Sequence, residues 1–113
     1  MSVVYVIQKQ QRFDHKRGEL VPKFDLDTAR EHGELFYLLS PSASPFKTDS
    51  VIDELHESLS EFQEGDHLLL VGNPVLIGLA TAIAASLAPS LNFLQWSGTQ
   101  QKYISIRAEN LLG

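Results

Sequence analysis

The sequence predicts a single α/β domain on a mainly parallel sheet, with a central βαβαβ unit and a C-terminal antiparallel hairpin. Two observations predict it. Residues 68–101 are 34 consecutive positions without a charged side chain, and their front, LLLVGNPVLIGLATAIAASLAPSL, reads as a buried strand, a sharp turn and an apolar helix. A strand feeding so apolar a helix implies a parallel sheet with covered faces. Second, strand-like and helix-like segments alternate from 34 to 96, the pattern of strands joined by crossover helices.

The elements follow in chain order. SVVYVIQ (2–8) is β-branched and aromatic with little alternation, which suits a strand buried on both faces. Residues 9–25 are polar and basic with a turn signal at HKRG (15–18). They form an extended loop or a protruding hairpin, and the pattern does not choose between the two. Asp27 is placed to cap a short helix through Thr28–His32, with Gly33 as its left-handed stop. ELFYLLS (34–40) is the second strand, and PSASPFKT is a loop because its prolines lack donors.

Ser50 with Asp53 reads as a capping box. Ile52, Leu55, Leu59 and Phe62 form the inward stripe of the helix it opens, with Gly65 as the end. HLLLVG (67–72) is the central strand. Asn73 is a natural N-cap and Pro74 a natural first helical residue. LNFLQW (91–96) is the next strand, and KYISIRA (102–108) alternates as an antiparallel edge strand does.

Composition narrows the chemistry. The chain has 113 residues and no cysteine, so disulfides, thiolate zinc sites and cysteine nucleophiles are excluded. The N-terminal MSVVYVIQKQQR lacks the basic and apolar regions of a signal peptide. The helix from Pro74 to Ala88 is about 22 Å long, short of the ~20 apolar residues of a membrane span. A cytoplasmic protein without membrane insertion is expected. The net charge is −5, yet residues 9–23 hold five basic and two acidic side chains, a local +3. The chain is a basic arm on an acidic body.

Three places hold candidate function. In open α/β sheets ligands collect at the carboxyl ends of strands, so the turn 72–75, with Gly72 and Asn73, is a candidate nucleotide or anion site. It has no GxGxxG and no P-loop lysine, and Asn73 as a cap uses the same amides. The basic arm, with Arg12, Lys16, Arg17 and Lys23, is a candidate nucleic-acid surface on which Phe13 or Phe24 stacks a base. The acidic body opposes that reading.

The third is the apolar helix. Leu76, Leu79, Ile83 and Leu87 make one stripe, and Gly78, Ala82 and Ala85 a second, small and flat. A helix apolar on all sides is buried on all sides, and the small face allows close approach of either the chain's own sheet or a second copy. Gly78, Ala82 and Ala85 are therefore the self-association candidates.

No catalytic constellation stands out, and no cofactor is expected. His15, His32, His56 and His67 lack metal-ligand spacing. Asp14, Glu19, Lys23, Asp25 and Asp27 carry nuclease-type side chains without a nuclease spacing. No serine sits in a nucleophile elbow. Trp96 and Tyr103 are read as sheet packing.

The segments ELVPKFDL, YLLSP, LLLVGNPVLIGLA and LQW, spread over residues 18–106, resemble a group of small proteins encoded by tailed bacteriophages. The resemblance rests on no catalytic signature and transfers no functional residue. It implies a phage origin, action in the bacterial host cytoplasm and an accessory role, modulating a host protein or serving phage nucleic-acid metabolism. The combined expectation is a non-enzymatic binding or regulatory module. It acts by protein–protein contact and self-association, as a homodimer, ahead of a nucleic-acid role for the arm 9–23 or an anion pocket at 72–75.

Overall fold

The computed structural model describes residues 2–113. Strands β1 (Val3–Gln8), β4 (Glu34–Leu39), β5 (His67–Leu69), β6 (Ser90–Ser97) and β7 (Lys102–Glu109) form one sheet in the order β4-β1-β5-β6-β7. Strands β2 (Gln11–Asp14) and β3 (Glu19–Pro22) form a separate two-stranded sheet. The first four strands of the large sheet run parallel, and β7 is antiparallel to β6 from Ser90↔Glu109 to Ser97↔Lys102. The predicted fold class holds.

The unit β4-α1-β5-α2-β6 is the expected βαβαβ. β1, from outside that unit, is inserted at its centre, with Tyr5 beside both Phe36 and Leu68. That position explains its composition, since Val4–Gln8 are all buried. Gln8 Nε2 donates to the carbonyls of Ser40 (2.9 Å) and Ala43 (3.2 Å), fixing the loop after β4.

Helices α1 (Thr48–Ser58) and α2 (Pro74–Leu87) cover the same sheet face. Leu55, Leu59, Leu76, Ala80 and Ala84 pack there against Tyr5, Ile7, Leu68 and Leu91. The other face carries the 3₁₀ helix (Asp27–His32), whose Ala29 sits on Val4, Val6, Leu69 and Leu94. Among the described residues no helix is long and apolar enough to cross a membrane.

Four local expectations are corrected. Asp27 is the first residue of the 3₁₀ helix, and the Asp25 carboxylate accepts the Asp27 amide at 2.9 Å, ahead of it. Gly33 (φ +151°) is no left-handed stop; a Cβ there runs into the Ser2 carbonyl, so close approach requires glycine. Helix α1 begins at Thr48, because Ser44 already takes the Phe46 and Lys47 amides and winds the chain before Ser50. It ends at Ser58, where the chain passes into tighter turns in which the Ser60 amide donates to the Glu57 carbonyl and the Phe62 amide to that of Leu59, well before Gly65. Its most buried stripe is Val51, Leu55 and Leu59, with Ile52 half-buried and His56 exposed.

Candidate functional site

The basic arm is the β2–β3 hairpin. Phe13 faces Leu20 across it and Arg12 faces Val21. Side chains alternate between the faces of a strand, so Arg12 and Val21 share a face with Asp14 and Glu19. Phe13 (49% exposed) and Leu20 (60%) make the opposite, apolar face. Asp14 accepts the amides of Lys16 (2.9 Å) and Arg17 (3.4 Å) at the tip. The Arg17 guanidinium lies 3.9 Å from Asp14 and 4.0 Å from Glu19. Lys23 is at the base, its ammonium 5.6 Å from the Phe24 ring centroid. The four arm cations are thus spread from tip to base, and both acids share a face with Arg12.

The turn 72–75 is occupied by its own side chains. Asn73 Oδ1 accepts the Val75 amide at 2.9 Å and Pro74 opens α2, as the sequence predicts. Gly72 (φ +128°) lets the chain turn beside Gln10, whose Nε2 lies 3.3 Å from where a Cβ would stand.

Helix α2 buries Leu76, Ala80 and Ala84. The predicted stripe of Leu76, Leu79, Ile83 and Leu87 therefore splits: Leu76 is buried, Leu79 and Ile83 are half-buried, and Leu87 is exposed. Gly78 and Ala82 are exposed and Ala85 half-buried, beside Val75 at 49% exposure. A Cβ on Gly78 would meet nothing within 4 Å. The helix has no charge, and its two hydroxyls turn back on their own backbone, Thr81 to the Ile77 carbonyl (2.8 Å) and Ser86 to that of Ile83 (2.6 Å). The outward face thus offers water almost no polar group.

On the face carrying the 3₁₀ helix, the carboxyl ends of β1, β5 and β6 border a cleft in two lobes. One, of about 430 Å³, has Lys9, Arg30, Tyr37 and Val71 in its wall. The other, of about 300 Å³, has Leu94, Trp96 and Tyr103. Phe24 and Asp25 line both. Trp96 meets Tyr103 edge-on at 5.2 Å across the β6–β7 pair. Tyr103 is buried, as a packing residue is, whereas Trp96 is 44% exposed. Burial, with Asp25 nearby, pushes the Tyr103 hydroxyl pKa up. Sequence reasoning missed this cleft because its walls come from six separated segments.

Of the histidines, His32 and His67 are brought together, 5.3 Å between ring centroids. The His32 Nε2 lies 3.0 Å from the Tyr103 carbonyl, while His67 Nδ1 is buried without a partner. Burial, with His32 adding to it, lowers the His67 pKa. Among the described residues no three His, Asp or Glu side chains converge as metal ligands.

The family model described as Phage Pam3 gp32-like protein matches residues 2–110. No curated protein and no solved structure matches the chain.

Proposed function

The chain belongs to the Phage Pam3 gp32-like family, a family of small phage-encoded proteins, and from that premise we propose a non-enzymatic accessory module. It works in the bacterial host cytoplasm by protein–protein contact and self-association. The observation carrying this reading is the outward face of α2, with Val75, Gly78 and Ala82 exposed and both hydroxyls satisfied within the helix. A helix without a polar face is built for cover on both sides.

The arm adds a second apolar surface in Phe13 and Leu20. A nucleic-acid role for residues 9–23 has weaker support, because the arm's cations are spread from tip to base and its strands also carry Asp14 and Glu19.

Sedimentation equilibrium tests the proposal. The expected result is a dimer at micromolar concentration that Ala82→Glu converts to monomer with an unchanged circular dichroism spectrum. A wild-type chain that stays monomeric at the highest attainable concentration overturns the self-association.

A further inference from the structure

We propose that the cleft at the carboxyl ends of β1, β5 and β6 holds a nucleobase–phosphate unit, the base on Phe24 and Trp96 and the phosphate at Arg30 and Lys9. This site is separate from the turn 72–75 and from the outward face of α2.

Topology places it. From β1 the chain passes to β4 on one side, and from β5 it passes to β6 on the other. Neighbouring connections that leave in opposite directions open a crevice beyond the strand ends, where ligands of open α/β sheets collect. The two lobes, about 430 and 300 Å³, fall in the range of small-molecule sites.

The lining chooses the ligand class. Leu94 and Val71 pack in the second core cluster and give an apolar floor. Phe24 and Trp96 each remain 44% exposed beside that floor, so neither is used up by the core. Tyr103 holds Trp96 by its edge-on contact. Two exposed rings on a shared cleft suit a planar heterocycle, and any base offers a π-face to them.

The charges select the rest of the unit. Arg30 pairs with Asp27 at 3.8 Å, the two side chains being 61% and 83% exposed. So loose a pair is worth little and leaves the guanidinium fork for a phosphate. Lys9 forms no ion pair among the described residues, and Lys23 adds a third positive charge beside Phe24. Asp25, in both lobes, is an acceptor for the amino or ring N–H edge of a base.

Trp96 is the sole tryptophan of the chain, so its fluorescence reports the cleft directly. The protein is titrated with AMP, GMP, CMP and UMP, with inorganic phosphate and adenosine as half-ligand controls and a short single-stranded oligonucleotide as a further arm. The expected result is a saturable change with at least one nucleotide, at lower concentration than with either half-ligand. Phe24→Ala and Arg30→Gln each weaken it by roughly tenfold, the scale of one lost stacking ring or charged contact. Phe24→Leu keeps the apolar volume and removes only the π-face, and weakens it likewise. Tighter oligonucleotide than mononucleotide binding identifies the source as a strand, and equal affinity a free nucleotide. No saturable change with any nucleotide or oligonucleotide at millimolar concentration overturns the proposal, as does a change that survives both Phe24→Ala and Arg30→Gln. Ala82→Glu leaves the titration unchanged, so failure here is distinct from failure of self-association.

Discussion

The Asp66 carboxylate reaches across 63 residues of sequence to accept the Val3 amide at 2.9 Å, while its second oxygen accepts the Gln63 amide at 3.0 Å. The side chain is 3% exposed. One carboxylate thus ties the start of the central strand β1 to the turn that leads into its neighbour β5. Asp66→Ala removes the carboxylate that two part-buried amides share, and a loss of about 3 kcal/mol is expected, because hydrogen bonds to a charged group are worth about 1.5–3 kcal/mol each. Asp66→Asn, which keeps one acceptor oxygen, loses about half as much. Urea unfolding with an unchanged m-value checks both.

Gly33 and Gly18 both have positive φ, but only Gly33 lies against backbone, that of Ser2. Gly18→Ala is expected to cost about 1 kcal/mol, the price of a left-handed alanine. Gly33→Ala adds the collision with the Ser2 carbonyl and costs at least twice that on the same scale. Thermal unfolding of the two variants side by side gives the difference.

Asn73 acts on stability through its cap. Asn73→Ala loses the hydrogen bond to the Val75 amide and about 1 kcal/mol, and Asn73→Ser, also a good cap, recovers most of it. The Trp96 titration is unaffected in both. A loss of ligand response in a stably folded Asn73→Ser would instead return the anion site to the turn 72–75.

His67 gives a pH dependence. Its pKa is lowered below the ordinary 6.5 by burial first and by His32 second. The unfolded chain therefore takes up a proton near pH 6.5 that the folded protein resists. Between the two pKa values the unfolded state binds more protons, so stability rises with pH. The His67 contribution is complete above pH 6.5 and is lost as pH falls through the lowered value. His67→Gln is expected to flatten that part of the melting-temperature profile, measured from pH 7 down to pH 5.

Much of the fold was legible because its signals are local. Asn73-Pro74 marks the start of α2 through one side chain and one fixed φ, and tertiary packing leaves that unchanged. The unbroken apolar run of β1 announced a strand buried on both faces. The start of α1 was less legible. Ser50 carries a cap-like pattern, but Ser44, six residues earlier, had already turned the chain. The arm 9–25 was open between loop and hairpin because its alternation is weak, and pairing of Phe13 with Leu20 decided it.

The sequence by itself determined the strands of the large sheet, the presence of both helices, the burial of β1, and that α2 lacks a polar face, since these follow from propensity, caps and the spacing of apolar residues. Only the tertiary structure decided that β1 lies at the centre of the sheet, that α1 and α2 share one face, and that His32 meets His67. It alone assembled Phe24, Arg30, Tyr37, Val71 and Trp96 around one cleft. The physical reason is range. Periodicity acts within one element, whereas strand order and the choice of face are set by packing between residues far apart in the chain.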